Sequence, residues 1–303
     1  MILPKAAAPC DQFQFTSSDG LRIACTRWDS HGPARGVVQI AHGMGEHIGR
    51  YAELAEDLVE SGFVVYGNDH RGHGRSAPTR PSLGDFGAGG FNLLVEDMFR
   101  LTLIAKEENP DKPLVLLGHS MGSFAAQLYA IDHSGAIDGL ALSGSGALDG
   151  LVQLAKSAPP GDNILNRPFL SARTPFDWLS RDPADADSFM EDPLCFADLQ
   201  PASKASFLAV SSVLADPANL RKIRSNLPIY LFSGSEDPVG QRLEGVHILI
   251  ERLRAAGIRD ISYDFYPGGR HEMLNEINRV EVRANLLRWI SAVQRSRTST
   301  TAS

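Results

Sequence analysis

The chain has 303 residues, of which 43% are hydrophobic and 21% are charged, so it has enough apolar side chains to bury a large core. Its formal net charge of −7 argues against a nucleic-acid-binding surface. The cysteines Cys10, Cys25 and Cys195 are odd in number and widely spaced, which gives no basis for a disulfide framework or a Cys-x-x-Cys metal site. We therefore expect a reducing, cytoplasmic location. No apolar run approaches the roughly 18 residues of a membrane span, and the first residues lack a secretory pattern.

The apolar pattern predicts a hairpin followed by alternating strands and helices. The hairpin strands, 12–16 and 21–28, flank the turn sequence Ser18-Asp19-Gly20. Further strands are predicted at 37–41, 63–66, 114–117, 139–142, 228–232 and 261–266, and helices at 51–61, 91–108, directly after Ser120, 241–256 and 281–293. This alternation is typical of an α/β fold, in which helices cover both faces of a mostly parallel sheet.

The alternation stops between residues 145 and 220, which are rich in Pro and Asp. We expect this 145–220 segment to be a cap inserted into one core domain formed by residues 1–144 and 221–303. The segment contains ten acidic and five basic residues, so it carries −5 of the net charge of −7. That excess predicts an acidic rim that would repel anionic membranes and anionic substrates.

Residues 118–122 read Gly-His-Ser-Met-Gly, directly after the predicted strand 114–117 and directly before a predicted helix. A strand, a Gly-x-Ser-x-Gly turn and a helix with no spare residues form a nucleophile elbow. The two glycines leave room for the tight turn, and the turn presents the Ser120 hydroxyl at the N-terminus of the helix. Ser120 is therefore the predicted nucleophile.

A serine hydroxyl needs a base, and the base needs an orienting acid. Where this elbow occurs, the acid and then the histidine follow the serine along the chain, each on a loop after a later strand. We assign Asp237, after strand 228–232, as the acid and His271, after strand 261–266, as the base. Glu236 is the alternative acid, and the alternative bases are His247, which lies in a helical pattern, and His119, beside the nucleophile.

Stabilisation of an oxyanion requires two fixed backbone N–H donors. Met121, the residue after the nucleophile, supplies one predicted donor. The second is Met44, in the glycine-containing loop that follows strand 37–41.

The histidines of the stretch 69–76, Asp69-His70-Arg71-Gly72-His73-Gly74-Arg75-Ser76, suggest a metal site with His42 and His47 as further ligands. No cysteine or paired carboxylate completes such a site, so the sequence favours a structural loop that braces the turn around Met44. We expect neither a metal nor an organic cofactor.

Together these motifs resemble the monoacylglycerol lipase and lysophospholipase group of α/β-hydrolases. The specific part is the run from His42 to Tyr51, His-Gly-Met-Gly-Glu-His-Ile-Gly-Arg-Tyr, followed in order by 69–76, 118–122, Ser235-Glu236-Asp237 and Gly269-Arg270-His271. The resemblance covers roughly residues 12–295 apart from the 145–220 segment. Ser123 stands where the group often has a further glycine.

The resemblance implies a serine esterase that cleaves single-chain lipid esters through an acyl-enzyme. An acyltransferase, thioesterase or amidase using the same residues remains an alternative, as does a ligand-binding protein that keeps the fold without turnover. The substrate would be a small acyl ester, with no nucleic-acid partner.

The 145–220 segment has large apolar side chains that could line an acyl site or simply pack against the core. They include Leu179, Phe189, Met190, Leu194 and Leu208, and the candidates for substrate contact are Phe169, Phe176, Trp178, Phe196 and Phe207.

Overall fold

A computed structural model describes residues 10–159, 161–169 and 171–301, with side chains described as far as residue 296. Its strands are β1 Cys10–Thr16, β2 Arg22–Trp28, β3 Gly36–Ala41, β4 Phe63–Asn68, β5 Leu114–His119, β6 Gly139–Ser143, β7 Ile229–Gly234 and β8 Ile261–Tyr266. Its α-helices are α1 Ala52–Glu60, α2 Gly90–Glu108, α3 Met121–His133, α4 Leu148–Ser157, α5 Pro183–Glu191, α6 Pro201–Ala215, α7 Pro217–Leu220, α8 Glu244–Ala255 and α9 Arg279–Thr301. Short 3₁₀ helices lie at Ile48–Tyr51, Gly74–Ser76, Arg80–Ser82 and Ser134–Ala136.

The strands form one eight-stranded sheet in the order β1-β2-β4-β3-β5-β6-β7-β8. The pairs β1/β2 and β2/β4 are antiparallel, and all the pairs from β4 to β8 are parallel. The predicted α/β fold with a mostly parallel sheet is confirmed.

The core lies on both faces of this sheet. Along β5, Leu114 and Leu116 pack in one apolar cluster with side chains of α2, α3 and α8, while Val115 and Leu117 pack in a second cluster with α1 and α9. Because both faces are covered, the central strands are apolar throughout rather than alternating. The carboxyl ends of β5, β7 and β8 meet at one edge of the sheet, where three of the predicted site loops begin.

Between the neighbouring strands β6 and β7 the chain forms α4 to α7, so the 145–220 segment is helical where the sequence showed no strand. Helix α6 packs on the core through Phe207, whose ring lies 5.0 Å from that of Phe91 and 5.9 Å from that of Phe124. Among the helices of the described ranges, none is both long enough and apolar enough to cross a bilayer.

Two predicted helices differ from the observed helices by two or more residues at one or both ends. The helix predicted at 241–256 begins at Glu244, because Gln241, Arg242 and Leu243 have positive φ angles of 52°, 52° and 73° that are incompatible with a right-handed helix. The helix predicted at 281–293 begins at Arg279 and continues to Thr301.

Candidate active site

The turn between β5 and α3 holds Ser120 in a strained conformation, with φ 53° and ψ −122°. Its backbone N–H donates to the Ser143 carbonyl at 2.9 Å, which fixes the turn to β6. A Cβ atom on Gly122 would lie 2.2 Å from the carbonyl oxygen of Ala41, and one on Gly118 would lie 2.5 Å from that of Gly122. Glycine is therefore required at both positions, as predicted, and the strain at Ser120 is held by its surroundings.

Asp237 and His271 meet above this turn from the loops after β7 and β8. The Nδ1 atom of His271 lies 2.9 Å from Oδ1 of Asp237, and that same oxygen accepts the Val239 N–H at 2.9 Å. The side chains of Asp237 and His271 are 0% and 1% exposed. Glu236, the alternative acid, points outward and pairs with Arg242 at 3.1 Å.

The environment of His271 suits a general base. Burial alone would lower the pKa of His271, but the charge of Asp237 and its hydrogen bond raise that pKa above its ordinary value. Among the residues that the structure describes, Nε2 of His271 has no hydrogen-bond partner. His271 and Ser120 line the same cavity.

The two alternative bases have other surroundings. His119 is buried, with its ring 4.7 Å from that of His271, and its Nδ1 atom lies 3.2 Å from the Ser143 hydroxyl. Burial and the neighbouring His271 lower the pKa of His119 to about 4, so it is neutral at pH 7. His247 is exposed on α8 and packs edge-on against Phe265.

Met44 and Met121, the predicted oxyanion donors, both line the cavity beside Ser120. The loop that carries Met44 is held by Glu46, which the sequence analysis did not single out. Its Oε1 atom accepts the Gly43 N–H at 2.5 Å and the Tyr51 hydroxyl at 2.7 Å. Because Glu46 satisfies the Gly43 amide, the backbone of the loop is fixed close to the nucleophile, where preorganised donors are effective.

The cavity has a largely apolar wall. Four of the five candidates from the 145–220 segment line it, namely Phe176, Trp178, Phe196 and Phe207. The fifth, Phe169, instead stacks on the guanidinium of Arg270 at 4.3 Å. The segment also contributes Leu151, Leu165, Leu179, Phe189 and Ala197, of which Leu151, Leu165 and Ala197 were not predicted.

Comparison with known proteins places this site in a family. The profile of the family described as serine aminopeptidase, S33, matches residues 32–278. The chain is 33% identical to the monoacylglycerol lipase of Mycolicibacterium smegmatis, over 92% of the chain and 96% of that protein. It is 30% identical to the human monoglyceride lipase, over 99% of the chain and 96% of that protein.

The fold also matches a thermostable carboxyl esterase from Bacillus coagulans in complex with glycerol, with a TM-score of 0.84 and 30% identity. The match covers 96% of this chain and 100% of that one. The chain belongs to the monoacylglycerol lipase and lysophospholipase group of α/β-hydrolases. The family that the motifs suggested is therefore confirmed, and its members are serine carboxylester hydrolases.

In this α/β-hydrolase, the Arg50 side chain bridges three carboxylates that lie in different parts of the chain. Its guanidinium donates to Glu46 at 3.1 Å, to Glu272 at 2.7 Å and to Asp185 of α5 at 3.1 Å. Burial opposes ionisation of Glu272, but the charge of Arg50 lowers the pKa of Glu272. Burial and the neighbouring Glu272 raise the pKa of Asp185. Sequence reasoning missed this network, although Glu46 and Arg50 both lie in the 42–51 run.

The histidines around residues 69–76 do not form the metal site considered from the sequence. His42, His70 and His73 are fully buried together, and the His70 N–H donates to Nε2 of His42 at 2.9 Å. Burial lowers the pKa of His42 to about 4 and that of His73 to about 3, so both are neutral. The hydrolase uses this loop to brace the 42–51 run: Asp69 accepts the Ile48 N–H at 2.9 Å.

Several acids of the 145–220 segment are paired with basic side chains, which the acidic excess of the sequence did not reveal. Three of its acids pair with arginines outside the segment: Asp149 with Arg252 at 2.8 Å, Asp182 with Arg279 at 3.3 Å, and Asp185 with Arg50. Asp192 faces His47 at 2.9 Å, and Asp187 and Asp198 pair with basic residues of the segment itself. Net charge does not reveal these pairings, and repulsion of anionic membranes and anionic substrates by the segment stays a prediction.

Proposed function

We propose that this α/β-hydrolase is a serine carboxylester hydrolase that cleaves monoacylglycerols and related single-chain lipid esters. The observation that carries the proposal is the hydrogen bond between His271 Nδ1 and Asp237 Oδ1, with the unpartnered Nε2 in a cavity that also contains Ser120. Relatives named monoacylglycerol lipase and monoglyceride lipase that cover nearly the whole chain support the substrate class.

In the acylation step, the Ser120 oxygen attacks the ester carbonyl carbon while Nε2 of His271 takes the hydroxyl proton. Asp237 holds the imidazole in the tautomer that leaves Nε2 free to accept, and it stabilises the imidazolium that forms. The negative charge that develops on the carbonyl oxygen is stabilised by the N–H groups of Met44 and Met121. The imidazolium then protonates the departing alcohol, and the acyl group stays on Ser120.

In the deacylation step, His271 takes a proton from a water molecule, whose oxygen attacks the acyl carbon. The same two amides stabilise the second oxyanion, and collapse of the intermediate returns the proton to Ser120 and releases the fatty acid. Every step uses groups of this chain, so we expect activity in the presence of a chelator.

The wall of the cavity favours a neutral substrate with one acyl chain. Phe176, Phe196 and Phe207 supply apolar contacts, while Glu46, His271 and Glu272 lie near the reacting end. A zwitterionic lysophospholipid is the alternative substrate of the same class.

We further propose that the 145–220 segment is a cap inserted into the core of residues 1–144 and 221–303. Its side chains form one wall of the cavity, which supports a role in substrate selection. A reducing, cytoplasmic location is supported by the three cysteines, all described and all free of disulfides.

The test is a panel of p-nitrophenyl esters with acyl chains of increasing length, with 1-monoacylglycerol and lysophosphatidylcholine alongside. We expect hydrolysis of the monoacylglycerol, insensitivity to EDTA, and a fluorophosphonate adduct on Ser120 that is absent in Ser120→Ala. Matched thioester and amide substrates test the thioesterase and amidase alternatives, and added glycerol tests acyl transfer. Absence of any adduct on Ser120 would instead indicate a ligand-binding protein.

A further inference from the structure

A second group of chemically reactive side chains lies outside the cavity, where the 145–220 segment meets the 42–51 run. Nε2 of His47, a carboxylate oxygen of Asp192 and Sγ of Cys195 all lie within 4.8 Å of one another. Among the described residues, this group is the one that brings three such potential ligand atoms together. None of the three takes part in the proposed ester hydrolysis.

The local structure fixes these three side chains. Oδ1 of Asp192 accepts the Leu194 N–H at 2.8 Å, and the Cys195 N–H donates to the Asp192 carbonyl at 3.1 Å, so a tight turn places the carboxylate and the thiol side by side. The next residue, Phe196, donates its N–H to the Gly45 carbonyl at 2.9 Å. This backbone bond holds the turn against the run that carries His47.

The geometry points to a Zn²⁺ site formed by His47, Asp192 and Cys195, with water as the fourth ligand. Imidazole nitrogen, carboxylate oxygen and thiolate sulfur are the donors that Zn²⁺ prefers. Tetrahedral bonds of roughly 2.0–2.3 Å place ligand atoms about 3.3–3.8 Å apart, so small side-chain rotations bring these three into range. The side chains of His47 and Asp192 are 13% and 28% exposed, which leaves an ion a path from solvent.

The local charges allow a cation to bind. Arg50 is the nearby positive group, but it is paired with both Glu46 and Glu272. Burial raises the pKa of the Cys195 thiol to about 12, so the ion must displace the thiol proton to water when it binds.

Zn²⁺ bound at this site should affect ester hydrolysis by changing the hydrogen bonds of His47. In the structure Nδ1 of His47 accepts the Gly49 N–H at 3.2 Å, which caps the 3₁₀ helix Ile48–Tyr51, and Nε2 faces Asp192. A zinc ion on Nε2 requires the ring proton on Nδ1, so the cap bond is lost. The 42–51 run also carries Met44, one of the proposed oxyanion donors, and we therefore expect Zn²⁺ to inhibit ester hydrolysis.

The experiment titrates the full chain with Co²⁺ as a spectroscopic substitute for Zn²⁺, and measures inhibition of p-nitrophenyl acetate hydrolysis by Zn²⁺. Cys195→Ala removes the thiolate ligand, and Asp192→Asn removes the charged oxygen while keeping its shape. Cys10→Ala is the matched control, because Cys10 is an exposed cysteine on β1. Melting curves without metal show whether each variant is folded.

We expect one Co²⁺ per chain with a near-ultraviolet thiolate-to-cobalt absorption band that Zn²⁺ abolishes by competition. The band should be absent in Cys195→Ala and intact in Cys10→Ala. The Zn²⁺ concentration for half-inhibition should rise at least about tenfold in Cys195→Ala and in Asp192→Asn, since even an outer partner of a metal site contributes that much. A wild-type chain without the band, or a band that persists in folded Cys195→Ala, overturns the proposal.

Discussion

The indole ring of Trp178 lies 4.9 Å from the imidazole of His271, so the 145–220 segment contacts the proposed base itself. The contact is reinforced by the backbone, because the Glu272 N–H donates to the Leu179 carbonyl at 2.7 Å. On the other side of the cavity, the Phe196 N–H donates to the Gly45 carbonyl. The segment is thus tied to both loops beside Ser120, and changes in it should alter turnover as well as substrate binding.

The identity of the orienting acid can be tested with two neighbouring residues. Asp237→Asn keeps the shape of the side chain but favours the wrong imidazole tautomer, so we expect kcat to fall by about 10⁴-fold. Glu236→Gln removes only an exposed pair with Arg242, and kcat should stay within about twofold of the wild type. Steady-state hydrolysis of p-nitrophenyl acetate measures both. If Glu236→Gln instead reduced kcat far more than Asp237→Asn, the orienting acid would be Glu236.

The rate of ester hydrolysis should decrease as the pH falls through the pKa of His271, because only the neutral imidazole accepts the serine proton. Asp237 raises that pKa, so the acidic limb of the kcat/KM profile should inflect above the unperturbed value of about 6.5. In Asp237→Asn the residual activity should inflect at lower pH. The control is His247→Gln, which changes an exposed ring and should leave the inflection in place.

Gly45 tests whether the contact between the 42–51 run and Phe196 matters for catalysis. Its φ is +75°, and an added Cβ would lie 2.1 Å from the Phe196 carbonyl oxygen. Gly257→Ala is the matched control, since its φ is +96° but no atom lies within 4 Å of an added Cβ. The control should lose only about 1–2 kcal/mol of unfolding free energy. Gly45→Ala should lose more unfolding free energy than this, and its kcat should also be lower. Denaturant melts measure the first effect and initial rates of ester hydrolysis measure the second.

The sheet and the proposed catalytic residues could be predicted because their signals are local. Ser120 directly follows β5, and Asp237 and His271 lie on the short loops after β7 and β8, because parallel strands bring their carboxyl ends to one edge of the sheet. The identity of the acid and base therefore depended on chain order and strand position. Gly118 could also be interpreted, because its close approach is to Gly122 and Ser123 of the same turn, whereas Gly122 approaches the carbonyl of Ala41 on β3.

The contacts of the 145–220 segment could not be predicted, because they join residues far apart along the chain. Arg50 reaches Asp185 across 135 positions and His47 reaches Asp192 across 145. No periodicity or motif in either stretch specifies these partners. For the same reason, the sequence did not show that several acids of the segment are paired with core arginines.

Arg50 should affect both stability and turnover, because it holds Glu46 and Glu272 together in a buried site. In Arg50→Met two carboxylates lose their counter-charge, and removing one partner of a buried ion pair costs about 3–5 kcal/mol. Displacement of the loop held by Glu46 should reduce kcat on the order of 10²-fold. The control is Arg173→Met, whose pair with Asp187 is 51% and 42% exposed and should contribute at most about 1 kcal/mol. Equal losses of unfolding free energy and of kcat in Arg50→Met and Arg173→Met would contradict this role for Arg50.

The aromatic wall should set the preference for acyl-chain length, and two phenylalanines of the 145–220 segment allow a matched test. Phe176 lines the cavity, whereas Phe169 lies against Arg270 outside it. Loss of about 1.4 kcal/mol of apolar contact in Phe176→Ala should lower kcat/KM about tenfold for a decanoyl ester. The kcat/KM for the acetyl ester should hardly change, because its acyl group has little apolar surface to bury. Phe169→Ala should leave the ratio of kcat/KM for the decanoyl ester to kcat/KM for the acetyl ester unaltered. If both variants changed this ratio equally, the cavity wall would not select the acyl chain.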